Sequence, residues 1–307
     1  MKTANFLTCI LCVYLNIAKG NSQDSPPGAI ANEMCKIYTE NAKKNGNCPI
    51  PLFTSVNLIS RDKFAETGEF PHMVQVGYKG DNGTEWHVSG FIVSKNYVLT
   101  VAHGAEPEWR DPPEIVRAGV TDQADLSKAQ TRTIESIIVH PEYKPLVKYN
   151  DIALFKVKED FIFNKFVSPI CLHTNEENPD IEGIHSGWGA TKYLDERPTH
   201  MVKVIVDFDS NESCNKTYRR QVPEYLPQGI VNNKLVCAGG STLDGCQADS
   251  GGPLQIYRRD ESGTACMYDA VGISSFGIAC GIAKLPSAFT RVSHYIPWIE
   301  EIVWPQK

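Results

Sequence analysis

The chain has no excess of positive charge: 30 Lys and Arg stand against 36 Asp and Glu, a formal net charge of −6. That removes the electrostatic footprint a nucleic-acid binder needs. Long apolar runs are missing beyond the first twenty residues, so no later stretch is suited to span a bilayer as a helix. There is no internal repeat, no low-complexity tract and no glycine-rich nucleotide loop. No cluster of His, Cys, Asp or Glu has metal-ligand spacing, and the acidic residues between Asp111 and Asp125 do not make a calcium loop. These absences exclude a solenoid and point to chemistry with no metal and no cofactor.

What is present begins with a leader. MKTANFLTCILCVYLNIAKG opens on Lys2, runs apolar from Phe6 to Ala18 and ends on the small pair Ala18 and Gly20. Residues 1–20 read as a secretory signal, since the run is short for a membrane anchor. Secretion places the chain in an oxidising compartment, where cysteines pair. Of ten cysteines, Cys9 and Cys12 leave with the leader and eight remain, a number that suits four disulfides. Asn82, Asn211 and Asn215 each begin an N-x-S/T triplet and would accept glycans there.

Residues 21–34 begin rich in Ser, Pro and Gly and read as a loose tail, and Met34 to Lys44 has spacing for a short helix at best. From about Ile59 onward short runs such as HMVQVGY, GFIVSKNYVLTV, RTIESIIVH, DIALFKV and DAVGISSFG alternate with Gly, Pro, Asn and Asp. Regular short strands of this kind predict an all-β barrel or sandwich, not alternating β and α. The segment from Tyr295 to Trp304 has helical spacing around Pro297, which a first turn tolerates. At 307 residues, one large β domain with short N-terminal additions fits.

Three short motifs carry chemistry: LTVAHG with His103, YNDIALFKV with Asp151 and DSGGP with Ser250. Singly each is weak, because a histidine after a strand, an aspartate at a turn and glycines beside a serine all have structural uses. Together they supply what nucleophilic attack by a hydroxyl requires. An imidazole must take the serine proton, and a carboxylate must hold that imidazole in the right tautomer.

In this order and spacing the motifs resemble the chymotrypsin-like, trypsin-type serine proteases. GEFPHM (68–73), SGFIVSKNYVLTVAH (89–103), VSPICL (167–172), SGWGAT (186–191), LVCAGG (235–240), VGISSFGIACG (271–281) and AFTRVSHYIPWIE (288–300) fall where that family has comparable segments. MCKIYTENAKKNGNCPIP, EFPHM and Phe276 are similar to the snake-like branch of arthropod clip-domain proteases, although the clip module itself is missing. The resemblance implies a double six-stranded antiparallel β-barrel with a C-terminal helix over 59–307, preceded by a propeptide or light-chain segment at 21–58. His103 would be the general base, Asp151 its orienting carboxylate and Ser250 the nucleophile. The amides of Ala248 and Ser250 would form the oxyanion hole. Asp244 would floor the specificity pocket and select Arg or Lys, with Ser275, Gly277 and Ser287 also at the substrate. Activation would free Ile59 to pair with Asp249. Protein substrates, an upstream activating protease and a serpin-type inhibitor would be the partners, in an extracellular cascade.

The resemblance also implies disulfides Cys214–Cys237, Cys246–Cys280 and Cys48–Cys171, which leaves Cys35 with Cys266. Two family bridges are absent as complete pairs: Val88 and Gly104 stand at one, Gly183 and Ile256 at the other. Three departures bear on activity. Ala248 replaces a glycine in the oxyanion-hole motif, Ser287 replaces a pocket glycine, and Leu58 with Ser60-Arg61-Asp62 replaces the usual activation sequence. Two readings follow: a secreted endopeptidase, or a non-catalytic homologue acting as a binding partner or cofactor.

Overall fold

The computed structural model describes residues 26–48, 64–106, 111–189, 197–219, 224–231, 233–240, 250–259, 265–277 and 285–305. Six strands, β1 (Met73–Gly80), β2 (Gly83–Ser94), β3 (Tyr97–Thr100), β4 (Ile115–Ala118), β5 (Gln130–Val139) and β6 (Ala153–Val157), close an antiparallel barrel in the order β1-β2-β3-β6-β5-β4. The two-residue side-chain period explains how β2 serves two cores. Phe91 and Val93 point to a cluster shared with the other half of the molecule, while Ile92 between them packs with Val74, Val98 and Phe155 of the same barrel.

The second half contains β7 (Cys171–Leu172), β8 (Gly183–Gly187), β9 (Val202–Val206), β10 (Phe208–Asp209), β11 (Leu235–Ala238), β12 (Pro253–Arg259), β13 (Ala265–Phe276) and β14 (Ser287–Arg291). They run in the order β10-β11-β14-β13-β12-β8-β9, with β7 beside β13. The pairings on that path are antiparallel, and β7 alone lies parallel to its neighbour. The expected double antiparallel architecture is present, and the short strands β7 and β10 raise the second half above six strands. Ile184, Tyr268 and Ile273 complete the cluster that joins the two halves. The C-terminal helix spans Ile296–Val303 with Pro297 in its first turn, where a missing N–H costs nothing.

The segment read as a loose tail is different. A 16-residue helix, Ala29–Lys44, begins immediately after Pro26, Pro27 and Gly28 and lies on the body of the domain. Gly28 provides no side-chain cap. The cap comes instead from the buried carboxylate of Glu300 in the C-terminal helix, which accepts from Gly28 N at 3.3 Å and Ala31 N at 2.8 Å. A negative group at the positive end of the helix dipole stabilises the helix further.

This helix corrects the disulfide assignment. The bridges are Cys35–Cys171 and Cys48–Cys266, not Cys48–Cys171 and Cys35–Cys266. Ala31 and Cys35 share the buried helical face, one turn apart, so Cys35 sits against Cys171 and Met267. Roughly 14 Å of helical rise separates Cys35 from Lys44, and that carries Cys48 away from Cys171 to the start of β13. Cys214 is bonded to Cys237, while Cys246 and Cys280 lie outside the described residues. Cys35 and Cys171 also approach Asp269, but their sulfurs are bonded to each other, so the trio is not a ligand set.

Side chains fill the space at both vacant bridges. A Cβ added to Gly104 would lie 3.3 Å from Val88 Cγ1, and one added to Gly183 would lie 2.9 Å from Leu254 Cδ1 and 3.3 Å from the Phe208 ring. Packing occupies both places where the aligned positions would allow a disulfide.

Candidate active site

His103 follows β3 and opens a short 3-10 turn that ends at Ala105. Tyr78 of β1 holds this turn by donating to Gly104 O at 2.7 Å. Asp151 sits two residues before β6 and is buried. Its Oδ2 meets His103 Nδ1 at 2.7 Å, and its Oδ1 accepts from His103 N at 3.0 Å. Ser275 on β13 donates its hydroxyl to Oδ2 at 2.5 Å, and Thr290 on β14 donates to the Asp151 backbone carbonyl at 2.9 Å. Asp151 belongs to the first barrel, but the second supplies one donor to its carboxylate and one to its backbone carbonyl.

Burial alone would lower the His103 pKa, but the charge and hydrogen bond of Asp151 outweigh it and hold the imidazole above its ordinary 6.5. Lys148 works against this and Glu106 with it. Burial likewise pushes the Asp151 carboxyl up, yet His103, Ser275 and the His103 amide hold it below its ordinary value. Asp151 therefore remains an acceptor and fixes the neutral imidazole as the tautomer with hydrogen on Nδ1. The Nε2 lone pair is left available as a base.

Ser250 reaches the same place from the turn before β12. Its carbonyl accepts from Ser89 N at 2.9 Å, which docks the turn on β2. Gly251 N donates to Ser274 O, and Ser274 N returns a bond to Gly252 O, both at 2.8 Å. Gly251 has φ 87°, and a Cβ there would stand 2.0 Å from Ser89 O, so only glycine fits. His103, Asp151, Ser250 and Ser275 all line one open cleft of about 430 Å³. Among the described residues His103 and Ser250 share the cleft without a hydrogen bond between them. Uncomplexed sites often hold this contact long.

Ser275, grouped with substrate contacts, gives its hydroxyl to Asp151. Gly277 follows β13 half-buried, and Ser287 opens β14 opposite Ala238. Asp244, Ala248, Asp249 and Ile59 lie outside the described residues. Asn82 is exposed in the turn between β1 and β2, and Asn211 and Asn215 lie on a second helix, Asn211–Tyr218. The Asn215 carboxamide is tied to Ile230, accepting from its N at 2.7 Å and donating to its O at 3.4 Å.

Sequence reasoning missed part of the cleft wall. Tyr143 donates to Glu106, joining the turn after His103 to the loop before Asp151. Leu146, with φ 71°, and Lys148 extend that loop along the cleft. No local pattern marks these residues, because the two loops meet only when the barrel closes.

Comparison with known proteins agrees with this geometry. The family model described as Trypsin matches residues 59–299. Serine protease snk of Drosophila melanogaster is 34% identical over 260 residues, covering 82% of this chain and 58% of that protein. CLIP domain-containing serine protease C9 of Anopheles gambiae is 32% identical over 254 residues, covering 78% of this chain and 66% of its own length. The chain thus spans less than two thirds of either relative. Among solved structures, neuropsin, a serine protease expressed in the limbic system of mouse brain, aligns with a TM-score of 0.64 at 25% identity, over 78% of this chain and 98% of its own. No helix among the described residues is long and apolar enough to cross a membrane. With an Asp151–His103 pair beside Ser250 on two antiparallel β units, and a family model covering most of its length, the chain belongs to the trypsin family of serine proteases.

Proposed function

We propose that this protein is a secreted serine endopeptidase that cleaves after Arg or Lys, is made as a zymogen and acts in an extracellular proteolytic cascade. The observation that carries the reading is the 2.7 Å contact between His103 Nδ1 and Asp151, with Ser250 in the same cleft. Ser250 Oγ attacks the substrate carbonyl while His103 Nε2 takes its proton, forming the C–O bond and a tetrahedral oxyanion. The oxyanion collapses as the C–N bond breaks, and His103 returns the proton to the departing amine. Water then repeats the sequence to release the acid and restore Ser250. Asp151 stays ionised throughout and stabilises the imidazolium.

The finer assignments rest on family resemblance. The amides of Ala248 and Ser250 receive the oxyanion. Asp244 selects the cationic side chain, because another residue would leave its charge unpaired. Removal of residues 1–20 and a cut before Ile59 would let the new ammonium reach Asp249, with residues 21–58 as the light-chain segment and 59–307 as the protease domain. Protein substrates, an upstream protease and a serpin-type inhibitor are the partners, and neither nucleic acid nor membrane is among them. Glycans attach at Asn82, Asn211 and Asn215.

A second reading, a non-catalytic homologue that binds cascade components, is favoured by Ala248, Ser287 and the sequence Leu58-Ile59-Ser60-Arg61-Asp62. Limited proteolysis with N-terminal sequencing, followed by peptide-amide hydrolysis, separates the two. The expected outcome is a form beginning at Ile59 that cleaves Arg or Lys peptides at least about tenfold faster than Leu or Phe peptides. A form beginning at Ile59 that cleaves none of them would overturn the enzyme in favour of the homologue.

A further inference from the structure

Asn150, the residue before Asp151, has a left-handed backbone with φ 57° and is buried. Such a φ is uncommon outside glycine and is most often found in Asn and Asp. The carboxamide of Asn150 is a hub between the two halves of the domain. Its Oδ1 accepts from Lys234 Nζ and from Tyr295 OH, each at 3.0 Å, and its Nδ2 donates to Glu142 O at 3.0 Å. Lys234 lies just before β11, and its ammonium also approaches Glu142 Oε2 at 3.4 Å. Asn150 O accepts from Ile152 N at 2.9 Å, which closes a tight turn around Asp151 itself.

We propose that Lys234 is a positioning residue. Reaching across from the second half, it clamps the Asn150 carboxamide, holds the left-handed turn and so fixes the angle at which Asp151 meets His103. The inference rests on the reading of His103 and Asp151 as base and orienting acid, but it concerns their alignment and does not require turnover. With Tyr295, Thr290 and Ser275, Lys234 completes a set of donors from the second half that hold Asn150 Oδ1, Asp151 O and Asp151 Oδ2. The relative placement of the two halves then sets the geometry of the acid–base pair.

Charge and position have opposite signatures. The groups that face His103 are Asp151, Lys148 and Glu106, with Arg197, Tyr78, Tyr143 and His87 also lining the cleft. Deleting the Lys234 cation by charge alone would raise the His103 pKa. Loosening Asp151 instead removes the contact that opposes burial, and the pKa falls. The experiment is an NMR titration of 13Cε1-histidine-labelled full-length protein, with the His103 resonance assigned by H103Q. Wild type is compared with K234M, K234R and N150G, the last keeping the backbone freedom while removing the hub. Fluorophosphonate labelling rates are measured in parallel on the proteolysed forms.

Expected are a lowered His103 pKa and about a tenfold slower labelling in K234M and N150G, with K234R recovering most of both. A His103 pKa that is unchanged or raised in folded K234M overturns the proposal. If K234M does not fold, the same readout on N150G decides. A wild type that never labels, while K234M still lowers the His103 pKa, would defeat the enzyme reading and leave the positioning role standing.

Discussion

Asp151→Asn is expected to lower kcat by about 10⁴. The reason lies in the donors around the carboxylate. His103 N donates to Oδ1, so a carboxamide keeps its oxygen there and places its NH₂ at the Oδ2 position, where it donates to His103 Nδ1 and the Ser275 hydroxyl must turn to accept. The imidazole then protonates on Nε2, the atom that should accept the Ser250 proton. The pH profile moves as well. In the wild type the base is neutral only above a pKa held higher than 6.5, so activity falls as pH drops through that value. Without the Asp151 charge, burial outweighs the weaker pull of Glu106 and lowers the pKa, so the acid limb of the residual activity shifts to lower pH. A kcat/KM profile over pH 5 to 9 checks both effects. A loss below about tenfold, or an unmoved acid limb, would contradict the assigned roles.

The second large effect is structural. Gly251→Ala should detach the Ser250 turn from the first barrel. The added methyl would stand 2.0 Å from Ser89 O and 2.5 Å from Thr100 Oγ1, two atoms already bonded to each other at 2.7 Å. Positive φ adds about 1–2 kcal/mol and overpacking about 1–3 kcal/mol. For a domain of this size that lowers Tm by roughly 4–20 °C. Differential scanning calorimetry measures the drop, and labelling of Ser250 should fall in parallel. A G251A protein with the wild-type Tm would mean that the Ser250 turn is not seated on Ser89.

Much of this was legible in the sequence because it is local. Runs such as GFIVSKNYVLTV show their strands through β-branched residues and the Lys95-Asn96 turn, and β2 and β3 form there. His103, Asp151 and Ser250 stand in short motifs whose residue types already limit the chemistry. Two kinds of feature were not legible. The helix at Ala29–Lys44 is capped by Glu300, 272 and 269 residues from the amides it receives, so the Pro-Pro-Gly start looked like a tail. Cys35 lies on that helix and Cys48 four residues past its end, so their partners follow from where the helix docks and not from spacing along the chain. The clamp on Asn150 depends on Lys234 and Tyr295, and their convergence exists only after the two halves dock. Long-range polar partners leave no periodicity behind them, whereas strands and turns do.

The central question for this molecule is whether Ser250 is a nucleophile activated by His103. Protein cut to begin at Ile59 is treated with a fluorophosphonate, and the adduct is mapped by peptide mass. The predicted result is one label on the Ser250 peptide, lost in S250A and H103A. No label on that peptide, or a label that survives in H103A at the wild-type rate, would contradict it.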